Sequence, residues 1–124
     1  MITESHPGPI VLFGSGETSA SGRKIFEQII RCMPHAPKIS LIETPAGFEL
    51  NTAQVIGRVG DFLQRRLINY APRIQIIPAR KRGTAFSPDD AQLAEPILES
   101  NIIFMGPGSP TYAVRQLRDS VTWH

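Results

Sequence analysis

Four short apolar runs are spaced along the chain, and each ends at a turn that is rich in glycine or proline. The runs cover residues 9–13, 38–42, 73–77 and 101–105. Three of them are apolar at consecutive positions, a pattern typical of strands that are buried on both faces of a sheet. Run 73–77 alternates more, which predicts a strand nearer to a sheet edge.

Helical stretches fill the intervals between the runs. Apolar side chains recur at helical spacing in residues 22–33, and again from a predicted cap at Asn51 to about residue 69. Ser87 and Ser109 each precede a proline, which predicts a capped start for the third and fourth helices. Pro96 interrupts the third helix, so we expect that helix to be short.

Strands that alternate with helices at this spacing predict an α/β domain with a mainly parallel sheet. Right-handed crossovers place helices on both faces of such a sheet, so we expect a three-layer α/β/α architecture of flavodoxin-like or Rossmann-like type. Residues 1–124 form a single domain in this prediction. Ligands of such sheets bind beyond the carboxyl ends of the strands, which is where all four turns fall.

Composition and charge exclude few classes of function. The 124 residues are 41% hydrophobic and 19% charged, and the formal net charge of +2 is too small to indicate nucleic-acid binding. The one cluster of cations, residues 80–82, predicts a solvated loop or, as the alternative, contact with an anionic ligand or partner. The sequence shows neither an apolar run of membrane-spanning length nor a secretory signal, so we predict a cytoplasmic protein that does not bind membranes.

Cysteine and histidine give no sign of a metal centre. Cys32 is the single cysteine, which excludes an internal disulfide and a thiolate zinc cluster. Its place on the amphipathic first helix predicts a small, inert side chain against the core. His6, His35 and His124 stand apart from every candidate nucleophile. We therefore predict no metal, and no feature of the sequence indicates a cofactor.

Three of the four turns carry the candidate site residues, which are Gly14, Ser15, Gly16 and Glu17 after the first run, Glu43 after the second, and Gly106, Pro107, Gly108 and Ser109 after the fourth. The first turn lacks the third glycine of a dinucleotide fingerprint and the lysine of a P-loop. It forms either a tight connection or a site wall whose amides face an anion. The carboxylate after the second run either is solvated or salt-bridged, or binds a ligand or a neighbouring loop. The amides of the last turn either converge on an oxyanion before a helix N-terminus or belong to a stiff connection without a ligand.

At residues 106–110 the chain resembles the oxyanion loop of class I glutamine amidotransferases. Segments 10–17, 39–48, 74–80 and 102–117 together are still more similar to the related serine hydrolases of the cyanophycinase and aspartyl dipeptidase type. In those hydrolases the first strand ends in a glycine-rich turn followed by an acidic residue, and the fourth ends in a glycine loop that runs into a helix. Both features occur here, and the resemblance covers nearly the whole chain.

This resemblance implies that Gly106, Pro107, Gly108 and, by extension, Ser109 form an oxyanion loop. It also implies a nucleophile on an elbow after a fifth strand, followed later by a histidine and its acidic partner. No G-x-S-x-G or G-x-C-x-G elbow occurs in the 124 residues. The chain by itself is therefore expected to be catalytically inert.

We expect the chain to be the N-terminal part of a larger domain. Its fourth helix is predicted to run to Trp123 without a C-cap glycine, and a four-stranded sheet would leave a strand unpaired on one side. The predicted function is the front half of an amidotransferase-like hydrolase that cleaves a small-molecule or peptide amide. The alternative is a non-catalytic module that binds an anionic small molecule or forms a homodimer through its sheet edge.

Overall fold

The computed structural model describes residues 8–124, so His6 lies outside the described residues. The helices are α1 (Ala20–Arg31), α2 (Thr52–Arg66), α3 (Ala91–Ala94) and α4 (Pro110–Leu117). The strands are β1 (Lys38–Ile42), β2 (Arg73–Ile77) and β3 (Ile102–Met105). Short 3-10 helices span Thr44–Ala46, Ile68–Tyr70 and Glu95–Glu99. Strands and helices alternate from β1 onward, as the sequence predicts.

The three strands form one parallel sheet in the order β2-β1-β3. The central strand sets the register, because Ile42 of β1 lies opposite both Ile77 of β2 and Met105 of β3. The carboxyl ends of all three strands therefore meet at the same edge of the sheet. The predicted α/β class with a parallel sheet is confirmed.

The predicted first strand is wrong, because residues 9–13 form no regular secondary structure. Both neighbouring positions of the central strand are already filled by β2 and β3. Phe13 packs its ring on Phe104 of β3, with the centroids 6.2 Å apart. Ile10 and Leu12 are 87% and 90% exposed. The apolar run therefore reflects one anchored aromatic ring rather than a buried strand.

The main core lies between one face of the sheet and helices α1 and α2. Ile39 and Leu41 of β1 point to this face and are fully buried. Both helices place an apolar stripe on them at helical spacing. The buried members are Phe26, Ile30, Ile56, Val59, Leu63 and, at the C-cap of α2, Leu67.

The opposite face carries a smaller core. Ile42 and Ile77 pack there against Ile97 of the 3-10 helix that follows α3. Ile103 and Met105 of β3 point to the same face by strand alternation, yet they remain 56% and 38% exposed. In the part of the chain that the structure describes, the second helical layer covers β1 and β2 and leaves β3 open.

The path of the chain explains why helices lie on both faces. From β1 the chain passes through α2 to β2, and it then returns through α3 to β3 on the other side of β1. Two right-handed crossovers that move in opposite directions place their helices on opposite faces. The result is a small, incomplete α/β/α fold of Rossmann-like type.

Side-chain caps determine where three of the helices begin. Ser19 caps α1 and Ser109 caps α4, each by accepting a hydrogen bond from an amide three positions later, at 3.0 and 3.2 Å. The serine-proline start of α4 is therefore confirmed. For α3 the predicted cap at Ser87 is wrong, because Asp90 is the capping residue. Ser87 instead accepts a hydrogen bond from the Asp89 amide in the preceding turn.

The last helix is shorter than predicted. α4 ends at Leu117 and does not continue to Trp123. Asp119 adopts the left-handed backbone conformation, with φ 56°, that a glycine often provides just after a helix. The Ser120 amide then donates to the Leu117 carbonyl over 2.9 Å. A turn thus ends α4 although the sequence lacks the C-cap glycine that usually predicts one.

The prediction that Cys32 packs against the core is also wrong. Cys32 follows the last residue of α1 as its C-cap, and its side chain is exposed. Its backbone amide donates to the Ile29 carbonyl over 3.1 Å. Because the residue lies at the helix end, it does not share the apolar stripe of the preceding turns.

Candidate functional site at the carboxyl edge of the sheet

The loop after β1 is fastened to the loop after β2. The Thr44 hydroxyl, which is buried, donates to the Ala79 carbonyl over 2.5 Å. Gly47 lies so close to the backbone of Arg80 that a Cβ atom there would overlap it. The absence of a side chain at Gly47 is therefore what lets the two loops meet.

A partly buried ion pair reinforces the junction between these two loops. Glu43 is only 1% exposed, and its Oε2 accepts a hydrogen bond from the Arg80 Nε over 2.5 Å. The guanidinium carbon of Arg80 also lies 4.5 Å from the ring centroid of Phe86, a cation–π contact. Glu43 is thus salt-bridged and also holds a neighbouring loop, two of the roles that the sequence left open.

The loop after β3 is packed onto the loop after β1. The Ser109 amide donates to the Pro45 carbonyl over 2.7 Å. Gly108 has φ 146°, and a Cβ atom at this position would overlap the same carbonyl. Gly106 has φ 122° with open space around it. Gly108 must be glycine because a side chain would overlap Pro45, and Gly106 because its backbone conformation disfavours other residues.

Two amides of this loop have no hydrogen-bond partner among residues 8–124, those of Gly106 and Gly108. Pro107 lies between them and has no N–H to offer. Most buried backbone amides in proteins are paired, and Gly106 is buried. The Ser109 amide, in contrast, is already engaged by Pro45. The amides of Gly106 and Gly108 are therefore the two donors of this loop that residues 8–124 leave unpaired, the first buried and the second exposed.

Tyr112, in the first turn of α4, contacts both the loop after β1 and the loop after β2. Its hydroxyl donates to the Arg80 carbonyl over 2.9 Å, and its ring lies 5.2 Å from that of Phe48, measured between centroids. Burial raises the pKa of Tyr112 above its ordinary value of 10.0, so the hydroxyl stays protonated at neutral pH. Sequence reasoning missed this residue. The one feature of the sequence that could have indicated Tyr112 is its position, three residues after Ser109, the cap of α4.

The first glycine-rich turn lies apart from these loops. Ser15 and Gly16 both have left-handed backbone, with φ 69° and 79°, and the Gly16 carbonyl accepts the Ser19 amide over 3.0 Å. These contacts fold the turn onto the start of α1. Among the described residues, no hydrogen bond or salt bridge connects Gly14, Ser15, Gly16 or Glu17 to the other strand-end loops.

Two of the three cations in the expected solvated loop at residues 80–82 form ion pairs. Arg80 is paired with Glu43, and Arg82 Nε lies 3.4 Å from a carboxylate oxygen of Asp89. A terminal nitrogen of Arg82 also donates to the Arg118 carbonyl. Lys81 alone is exposed to solvent without an ion pair among the described residues.

A broad surface depression runs along α4, away from the predicted site residues. Its lining residues are Pro110, Thr111, Val114, Arg115 and Arg118. None of the candidate residues at the strand ends borders it. The depression is open to solvent and lies apart from the tied loops at the carboxyl edge of the sheet, which remain the candidate site.

Among residues 8–124, no helix has the length and apolar character needed to cross a lipid bilayer. No family model, curated protein or solved structure matches the chain. The architecture alone therefore defines the class: a small α/β domain with an incomplete parallel sheet whose strand-end loops are tied together.

Proposed function

We propose that this chain is the front half of a class I amidotransferase-like hydrolase of amide or peptide bonds. The resemblance is greatest to serine hydrolases of the cyanophycinase and aspartyl dipeptidase type. In this proposal the chain contributes the oxyanion loop, residues 106–109. The Ser or Cys nucleophile and its general base come from protein outside residues 1–124, and the substrate is a small-molecule or peptide amide.

The observation that carries the proposal is the pair of unpartnered amides at Gly106 and Gly108. When a nucleophile attacks an amide carbonyl, a bond forms to carbon and an electron pair moves onto oxygen. Two preorganised N–H donors at that oxygen stabilise the tetrahedral intermediate before the C–N bond breaks and the amine leaves with a proton. The Ser109 amide donates to Pro45, so the proposal relies on the two glycine amides.

The rigidity of the loop supports this role as well. An oxyanion site is effective when its donors are already in place and need no rearrangement during the reaction. Here the loop is anchored on one side by the contact between Ser109 and Pro45, and on the other by the last residue of β3, Met105. The serine cap fixes the following helix at its first turn.

The test is to express the full reading frame that contains this chain and to measure amine release from a panel of dipeptides and from glutamine. Gly106→Ala is the informative variant, because alanine disfavours φ 122° although space for its methyl group is available. We expect this substitution to lower kcat by about a hundredfold, the usual size of an oxyanion-hole effect.

Gly83→Ala is the matched control, because Gly83 also has a positive φ, 75°, and open space for a Cβ atom. Alanine there must also adopt a positive φ, at a position outside residues 106–109. We expect it to leave kcat within a factor of about two. Equal losses in the two variants, or a full-length protein that cleaves no amide, would contradict the proposal.

A second candidate function, formation of a homodimer through the sheet edge, is favoured by a contrast between the two edge strands. β2 begins at the exposed Arg73 and is flanked by Pro72 and Pro78, features that discourage pairing with another chain. The outer edge of β3 has no such protection, because residues 101–106 contain neither a charge nor a proline. Among the described residues no strand pairs with that edge, so a second copy of β3 could pair there.

A further inference from the structure

Arg80 is held by two contacts of its side chain and one of its backbone. Its Nε donates to the buried Glu43 over 2.5 Å, and its guanidinium lies over the ring of Phe86. The Arg80 amide also donates to the Phe86 carbonyl over 2.7 Å. An arginine that is fixed in this way has already lost most of the side-chain freedom that binding a ligand would otherwise remove.

The terminal nitrogens of Arg80 donate no hydrogen bond within residues 8–124, since its bond to Glu43 is formed through Nε. Neither Nη1 nor Nη2 is among the buried unpaired atoms. The side chain is 28% exposed, so its outer end reaches solvent. Arg82 differs, because one of its terminal nitrogens donates to the Arg118 carbonyl.

The terminal nitrogens of Arg80 and the unpaired amides of Gly106 and Gly108 all follow the carboxyl ends of strands, at the same edge of the sheet. Arg80 follows the end of β2 and Gly106 follows the end of β3, while Ile42 of the central strand is in register with the last residues of both. Donors without acceptors among the described residues thus come from the ends of the two strands that flank β1. An excess of preorganised donors is suited to an anion.

We infer that this edge carries a binding site for a phosphate group, with the terminal nitrogens of Arg80 as its paired donors. The planar guanidinium fork matches two oxygens of either a carboxylate or a phosphate. A carboxylate has only the two oxygens that the fork binds, so any further donor must share them. A phosphate retains further oxygens for the amides of Gly106 and Gly108, which favours phosphate. This inference goes beyond the proposed function, because binding needs no nucleophile.

The experiment is a titration of the isotopically labelled 124-residue chain with inorganic phosphate, followed by NMR. The Nε–H signal of Arg80 and the amide signals of Gly106 and Gly108 report the site directly. We expect all three to shift and to saturate at millimolar phosphate, the affinity range of a few charge-assisted hydrogen bonds. Sodium chloride at matched ionic strength is the control for general screening.

Arg80→Lys and Arg82→Lys form a matched pair of variants. Lysine keeps a positive charge beside Glu43, whose burial makes full loss of its partner destabilising. It removes the planar fork, so we expect Arg80→Lys to weaken phosphate binding about fivefold or more. Arg82→Lys is expected to change it less than about twofold. The double variant Glu43→Gln with Arg80→Gln removes both charges and should abolish the saturable shifts.

Three outcomes would overturn the inference: shifts that do not saturate, shifts that chloride reproduces, and equal weakening by the two lysine variants. Acetate that binds as tightly as phosphate would overturn the assignment to phosphate. A phenyl phosphate arm identifies the source, because tighter binding than free phosphate indicates an ester. The NMR titration measures phosphate binding and not amide hydrolysis. It can therefore fail while the hydrolase proposal holds, or succeed while that proposal fails.

Discussion

Tyr112 is the residue whose removal most directly tests how the strand-end loops are joined. Its hydroxyl donates to the Arg80 carbonyl over 2.9 Å. We expect Tyr112→Phe to lower the free energy of unfolding by about 1 kcal/mol at neutral pH, the usual net value of one such hydrogen bond. Chemical denaturation of the two proteins measures the difference.

The same tyrosine gives a prediction of pH dependence. Its folded pKa is raised above 10.0, so its contribution to stability is complete below the unfolded pKa. That contribution is lost as pH rises through the folded pKa. The stability advantage of the native protein over Tyr112→Phe should therefore shrink above about pH 10. A difference that stays constant from pH 7 into the alkaline range would contradict the assignment.

At the residue scale, sequence could find the candidate positions but not their partners. Glu43, Gly106 and Gly108 stand out because they follow apolar runs. The partner of Glu43 is 37 positions away in sequence, and the acceptor of the Tyr112 hydroxyl is 32 positions away. No local pattern encodes such contacts, since they depend on which strands become neighbours.

At the scale of single elements, the turn after α4 offers a test of backbone strain. Asp119 has φ 56°, a conformation that costs non-glycine residues about 1 kcal/mol. We expect Asp119→Gly to raise the free energy of unfolding by a little under that amount, because glycine loses more entropy on folding. Thermal unfolding measures the change.

Asp61→Gly is the matched control for this turn, because Asp61 lies in the interior of α2 and is exposed. The identical exchange there should lower stability by about 0.5 kcal/mol, since glycine is the poorer helix former. Opposite signs at the two positions support the strain at Asp119. Two decreases would show that the left-handed turn carries no strain that glycine relieves.

The long helix α2 and the three short strands at 38–42, 73–77 and 102–105 were predictable, whereas the conformation of residues 9–13 and the start of α3 were not. α2 begins at Thr52, directly after its predicted cap Asn51. The run 9–13 resembles a buried strand, but a strand also needs a free neighbour, and apolar character alone does not supply one. Ser87 and Asp90 are both good caps, and only the tertiary path selects the second.

At the scale of the whole molecule, the open edge of β3 predicts self-association. We expect the chain to form dimers as its concentration rises, through pairing of β3 between copies. Ile103→Lys places a charge on that strand and should shift the equilibrium toward monomer. Sedimentation equilibrium measures the change. Ile76→Lys on β2 is the control, because Ile76 is also partly exposed, at 42%.

A chain that remains monomeric at high concentration, or equal effects of the two lysine variants, would remove the homodimer from consideration.

The overall architecture could be predicted from the sequence, whereas the open edge of β3 could not. Alternation of strands and helices was enough to predict a parallel α/β fold. The number of strands was not, because residues 9–13 pack through Phe13 without joining the sheet.

The central position of β1 also has a consequence for the order in which the chain folds. β1, α2 and β2 are contiguous, and Ser40 and Gln75 meet across a separation of 35 residues. β3 joins the other side of β1, where Lys38 and Asn101 meet across 63 residues. Closing the longer loop costs more chain entropy, so the β1–α2–β2 unit is the natural folding nucleus. β3 then completes the edge on a template that already exists, and the candidate site forms last.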